Sequence, residues 1–334
     1  MKREYFYPSS DGETRIHAIT WEPEESPSAI LQIAHGMVEH MDRYDPFAKI
    51  CAAHGICVVG NDHLGHGQSV TGKDKLGYFG RPDGNAYVIR DMHSLRLMTE
   101  ELYPDVPYFM LGHSMGSYLL RQYVTRHGKR LSGVIIMGTA FQSSGSLFVQ
   151  KTLARLISAI RGDLYRSDFC YNLVIGSFNK HFEPSRTHDD WLTRDEAVID
   201  SYDDDELCQF HFTVNGYYHM FRGLEKAQSP RNIARIPKTL PMLILSGEED
   251  PVGDFGKGVR KVADIYRQNG IRDVTCILYP EDRHELLNEL DRDKVEADIL
   301  RWIEKEVHEL SEKTEEIKMT ETAGERVFEE REAQ

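Results

Sequence analysis

The chain has 334 residues, 40% of them hydrophobic, which is enough to bury one large core and argues against a disordered chain. Its formal net charge of −14 repels phosphate backbones and anionic bilayers, so nucleic acid is excluded as a partner. The 5 cysteines, Cys51, Cys57, Cys170, Cys208 and Cys276, are odd in number and lack CxxC or Cys/His ligand spacing, which points away from a disulfide framework and from a metal site.

At the amino end, MKREYFYPSSDGETRIHAITW has no apolar run of signal-peptide type, and no stretch of the chain is apolar enough to span a bilayer. A soluble, cytoplasmic protein without integral membrane association is therefore expected. Glu4–Tyr7 and Thr14–Trp21 read as a hairpin around Ser9-Ser10-Asp11-Gly12, at the antiparallel edge of a sheet. Short apolar runs then read as strands: Ala29–Ala34, Ile56–Gly60, Tyr108–Leu111, Val134–Met137, Met242–Leu245 and Val274–Leu278. Between them, Pro46–Ala53, Ala86–Leu102, Met115–Arg126, Gly258–Gln268 and Lys294–Val307 repeat apolar residues mostly at three- and four-residue spacing, as helices do. This alternation predicts an α/β fold, a mostly parallel sheet flanked by helices.

From Phe141 to about Leu240 the strand pattern stops. Pieces such as LFVQKTLARLISAI and FHFTVNGYYHMFRGL read as helices covering the carboxyl ends of the strands, where ligands bind in open α/β sheets. The expected division is a core of residues 1–140 and 241–310, an inserted cap of 141–240, and a charged, flexible tail of 311–334.

The chemistry centres on Gly112-His113-Ser114-Met115-Gly116, a G-x-S-x-G between a strand and a helix. On such a turn the serine hydroxyl is thrust clear of the sheet, the glycines remove clashing side chains, and the helix start offers the Met115 N–H to developing negative charge. A serine needs a base to take its proton and a carboxylate to orient that base. Asp250 follows the strand MLIL and His284 follows the strand VTCIL, so Ser114, Asp250 and His284 run in the chain order expected of a nucleophile, acid and base on one parallel sheet. Glu248, Glu249 and Asp254 compete with Asp250, which is favoured because Pro251 holds it extended. Of 15 histidines, His284 alone lies just past the last strand, whereas His54, His127, His181 and His188 read as surface residues.

The turn after AILQIA supplies a second amide: Gly36 brings the backbone close and leaves the Met37 N–H to pair with that of Met115 around an oxyanion. Asn61 to Ser69, rich in His, Asp and Gly, lacks the phosphate-loop pattern and a ligand set, and is read as a structural loop bordering the site.

AHGMVEHMDRY, NDHLGHGQS, LGHSMG, SGEED and RHELLNE together resemble the α/β-hydrolase superfamily, within it the monoacylglycerol lipase and lysophospholipase branch of serine aminopeptidase S33 type. The resemblance runs from about Ile16 to Val307. It implies an eight-stranded sheet, a helical cap inserted after the sixth strand, Ser114, Asp250 and His284 as a triad, and the Met37 and Met115 amides as oxyanion donors. It implies a cap that forms an acyl-binding channel and hydrolysis of small esters of glycerol or related alcohols; the triad needs no metal or organic cofactor, and transient contact of the cap with a lipid surface is compatible with this reading. Members carry glycine where this chain has Val38 and Ser117. Thioester, amide or peptide cleavage on the same machinery is the alternative, followed by a non-catalytic binding module.

Overall fold

The computed structural model describes the backbone of residues 1–332 and the side chains of residues 1–313. Its centre is an eight-stranded sheet: β1 (Lys2–Pro8), β2 (Arg15–Trp21), β3 (Ala29–Ala34), β4 (Ile56–Asn61), β5 (Tyr108–His113), β6 (Gly133–Met137), β7 (Met242–Gly247) and β8 (Val274–Tyr279), in the order β1-β2-β4-β3-β5-β6-β7-β8. β1 and β2 form the antiparallel hairpin at one edge, β2 pairs antiparallel with β4, and the rest are parallel. β3 to β7 are buried along their whole length because helices cover both faces, which is why these strands read as largely apolar runs, Gln32 of β3 being satisfied by the Met92 carbonyl and the Tyr108 hydroxyl. Edge strand β8 is half-buried.

The helices are α1 (Asp45–Ala53), α2 (Gly84–Leu102), α3 (Met115–His127), α4 (Ser144–Arg161), α5 (Asp168–Val174), α6 (Glu196–Asp204), α7 (Val214–Gln228), α8 (Pro230–Ile233), α9 (Lys257–Gln268) and α10 (Arg292–Glu332). On one face Phe47 and Ala48 of α1 and Val295 and Ile299 of α10 pack with Leu31, Leu111 and Ile135. On the other, α2, α3 and α9 pack on Ile30, Met110 and Ile136. None of the described helices is long and apolar enough to cross a membrane.

Residues 138–241, between β6 and β7, carry α4 to α8 and, among the described residues, no sheet strand. The two segments read as helices fall differently: the first lies inside α4, whereas α7 begins only at Val214 because Thr213 caps it, accepting the Gly216 N–H at 3.1 Å. Phe212, Val214, Tyr217 and Phe221 join the core cluster beside α3, which anchors the insertion.

α10 runs well past the expected end at Val307. Lys305–Glu309 and Lys313–Glu309 ion pairs bridge successive turns there, supporting a helix that apolar spacing does not reveal. The flexible tail expected at 311–334 falls on residues whose side chains lie beyond the described ones from 314 onward, and residues 333–334 lie outside the described backbone.

Candidate active site

Parallel register brings the functional loops to one level, with Ala34 beside Gly112, His113 beside Met137, and Gly247 beside Tyr279. Ser114 is the hinge between β5 and α3. Its backbone stands at φ +53°, ψ −119°, a conformation that L-residues adopt only under constraint. The constraint is packing: a Cβ on Gly116 would lie 1.9 Å from the Ala34 carbonyl oxygen, and one on Gly112 would lie 2.5 Å from the Gly116 oxygen. Strand and helix can approach this closely only with glycine at both positions. Ser117 fits where relatives by resemblance carry glycine, donating its hydroxyl to the Ser114 carbonyl at 2.6 Å.

Asp250 follows β7 and His284 follows β8. The His284 Nδ1 lies 3.0 Å from Asp250 Oδ1, and Asp250 also accepts the Val252 N–H (2.8 Å) and the Ser246 hydroxyl (3.2 Å). Both residues are sealed from solvent. With Nδ1 donating to the carboxylate, the neutral imidazole keeps a lone pair on Nε2. That nitrogen is buried and has no hydrogen-bond partner among the described residues. Ser114 and His284 line one cavity of about 240 Å³. Their direct hydrogen bond is open in this structure, a contact that commonly tightens only with substrate in place. Of the competing carboxylates, Glu248 pairs with Arg260 (3.6 Å) and Glu249 with His181 (2.7 Å), whereas the carboxylate hydrogen-bonded to His284 is that of Asp250.

The chain leaving β3 passes directly over the serine, since a Cβ on Gly36 would meet Ser114 Cβ at 3.2 Å. The amides of Met37 and Met115 have no protein acceptor among the described residues. Asn61 to Ser69 supports this loop from behind rather than lining the cavity: Asp62 accepts the Met41 N–H and the Gln68 N–H, both at 2.9 Å.

Beneath the cavity lies a charged web that the sequence reading did not assign. Glu39 accepts from Gly36 N–H, Tyr44 O–H (3.0 Å), His113 Nδ1 (3.2 Å) and Arg43 (3.1 Å), and Arg43 grips both carboxylate oxygens of Glu285 at 2.7 Å. Burial would raise the Glu39 carboxyl, but the His113 hydrogen bond and the His113 and Arg43 charges outweigh it and hold Glu39 well below the usual range. Burial would likewise lower His113, yet Glu39 raises it. The His113 Nε2 faces the His284 carbonyl at 3.3 Å, so both ring nitrogens meet acceptors, an arrangement that favours the protonated ring. The web thus joins the loop over the serine, the residue before it and the histidine loop. Its only sequence signal is the Glu39–Arg43 spacing beside an apolar strand.

From the insertion, Trp191 places its ring 5.0 Å from that of His284. Arg194 reaches Glu289 at 2.9 Å and both Asp282 and Asp291 at 2.5 Å, bracing the histidine loop. Burial, with Asp291 and Glu289 alongside, pushes the Asp282 carboxyl up to about 7. Asp282, Glu289 and Asp291 form one cluster of potential metal-ligand atoms, and His40, Asp205 and Cys208 form another. Arg194 satisfies the first, and His40 binds Asp205 at 2.8 Å in the second.

Comparison with known proteins gives the family and the fold. The family model described as serine aminopeptidase, S33, matches residues 25–291. A monoacylglycerol lipase of Mycolicibacterium smegmatis is 26% identical over 295 residues, spanning 87% of this chain and 94% of that protein. A monoglyceride lipase of Mus musculus is 26% identical over 273 residues, spanning 81% and 80%. A highly thermostable carboxyl esterase from Bacillus coagulans, solved in complex with glycerol, superposes with a TM-score of 0.85 at 30% identity, over 92% of this chain and 99% of that one.

Proposed function

Because the chain belongs to the serine aminopeptidase S33 family of α/β hydrolases and is a carboxylic ester hydrolase, we propose that it cleaves monoacylglycerol- or lysophospholipid-type acyl esters through an acyl-enzyme. Ser114 attacks the ester carbonyl and His284 takes its proton through Nε2, then returns it to the leaving alcohol. Asp250 fixes the imidazole, and the Met37 and Met115 amides receive the charge that develops on the carbonyl oxygen. Water repeats the sequence to release the acid. The observation that carries this reading is the sealed His284–Asp250 pair at 3.0 Å, whose second ring nitrogen is left without a partner at the cavity shared with Ser114.

In this reading residues 1–140 and 241–310 are the catalytic core, and 141–240 form a cap that supplies the far wall of the cavity through Tyr171, Ile175, Trp191, Tyr202 and Phe210. A volume of about 240 Å³ is small beside the roughly 300–1,000 Å³ of drug-sized ligand sites, so short acyl chains fit the cap as it stands and longer ones need it to move. Phe148 and Ile160 on α4 are 65% and 80% exposed, and Phe169 and Leu173 of α5 are exposed as well, apolar surface suited to transient contact with lipid.

Ser114→Ala tests the assignment. It is expected to lower kcat on a p-nitrophenyl ester by on the order of 10⁶-fold and to abolish labelling by a fluorophosphonate probe. Turnover retained in a clean preparation of that variant would remove Ser114 from the mechanism.

A further inference from the structure

Val38 stands at φ +59°, in the left-handed region. The other non-glycine residues with positive φ are Asp105, Ser114, Asp254, Phe255 and Glu281, and none of them is β-branched. A branched Cβ makes that region least favourable of all, so something must hold Val38 there. On either side of it the core does the holding, through the Gly36 N–H on Glu39 and through Glu39 itself on Tyr44 and His113. The carbonyl of Val38 is held differently. It accepts the hydroxyl of Tyr202, from α6 in the cap, at 3.0 Å. The Arg43 guanidinium lies over the Tyr202 ring, 4.8 Å from its centre, and so locates the phenol from the core side.

We propose that Tyr202 is a positioning residue for the oxyanion loop: its hydroxyl acts as a strut that keeps Val38 in a backbone conformation its own side chain opposes, so that the Met37 amide is presented to Ser114 only while the cap is seated. This rests on the esterase reading above. Remove the strut and the peptide after Val38 can rotate, φ at Val38 can return to negative values, and the Met37 N–H turns away from the position of the oxyanion. Contacts with the rest of the substrate survive, so the effect falls on kcat rather than on KM. Burial holds the Tyr202 phenol well above its ordinary pKa, so the strut keeps its proton throughout the neutral range.

The device depends on a Cβ at position 38. Glycine occupies the left-handed region without penalty and needs no strut, whereas alanine trims the side chain without granting that freedom. The test is therefore a double-mutant cycle on the full chain with a short p-nitrophenyl ester. Misplacing one oxyanion donor should make Tyr202→Phe about 10-fold or more slower in kcat with KM within about twofold. In the V38G background the same change should matter less than about twofold, and in the V38A background it should matter as much as in the native chain. An unchanged kcat in Y202F, or equal losses in all three backgrounds, overturns the strut. If Y202F alone does not fold, V38G/Y202F must still give active enzyme and V38A/Y202F must not. Failure of the native enzyme to be labelled at Ser114 by a fluorophosphonate would instead sink the esterase reading, so the two failures are distinguishable.

Discussion

On the sheet side of the cavity, Glu39, His113 and Glu285 are sealed from solvent around Arg43 and satisfy one another, whereas the cap turns Phe148, Leu156 and Ile160 of α4 to the outside. The first arrangement is intolerant of change, because in a low-dielectric interior each charge depends on its partner. The second tolerates change, because most of each side chain already faces solvent. The contrast separates two jobs. Under the proposed function, reaction geometry is held by buried polar contacts at the strand ends, and access to substrate is left to an exposed apolar surface.

The most damaging way to probe that division is Asp250→Asn, which keeps shape but reverses the hydrogen bond to His284 Nδ1. It should lower kcat about 10⁴-fold, as loss of the correct imidazole tautomer does in triads, and leave the melting temperature nearly unchanged. A loss smaller than tenfold would mean that Asp250 does not orient the base. Next comes Arg43→Ala, which strands Glu39 and Glu285 in the interior. About 3–5 kcal/mol of stability should disappear, read by urea denaturation. A loss under about 1 kcal/mol would show that the two carboxylates tolerate one another without the guanidinium.

A third probe uses pH. His35, His63 and His66 are fully buried, and burial, reinforced by repulsion from neighbouring imidazoles, lowers all three, His66 to about 3. The unfolded chain takes up protons from about pH 6.5 downward while the folded one does not, so this stability is complete above that value and drains as pH falls toward 3. Asp282, raised to about 7, works in the opposite sense, since it favours the folded state below its unfolded value and loses that contribution as pH rises through 7. The comparison that isolates the histidines is the slope of melting temperature between pH 7.5 and 4.5. His66→Phe should flatten it, and an equal slope in both proteins would deny the cluster its role. The smallest effect belongs to the cap face. Phe148→Ser with Ile160→Ser should move stability by less than about 0.5 kcal/mol, as exposed substitutions do, and leave soluble esters untouched while slowing hydrolysis of an emulsified one. Equal rates on both substrates would detach that face from lipid contact.

Much of this molecule could be read from one dimension. β3, β4, β5 and β7 are largely apolar because both their faces are covered, and the elbow at Ser114 is spelled within five residues. Asp250 and His284 were legible because each directly follows a strand of the same sheet. The Glu39–Arg43–His113–Glu285 web was not, since its members lie up to 246 residues apart and nothing local marks them as partners. Val38 is illegible for a different reason. A β-branched residue argues locally against the left-handed region, and the contacts around it, from Glu39 beside it and from Tyr202 164 residues away, leave no mark in the local sequence. The extension of α10 escaped because its signal is charge spacing rather than apolar spacing.

Arg194 belongs to the insertion by position and to the histidine loop by contact, and that double allegiance limits how freely this architecture can be recombined. A chimera that replaces residues 141–240 wholesale withdraws the guanidinium around which Asp282, Glu289 and Asp291 are gathered, Asp282 standing two residues before the imidazole proposed as the base. Efforts to retune substrate range by grafting must carry an arginine across at that point, or else supply another counterion for three crowded acids.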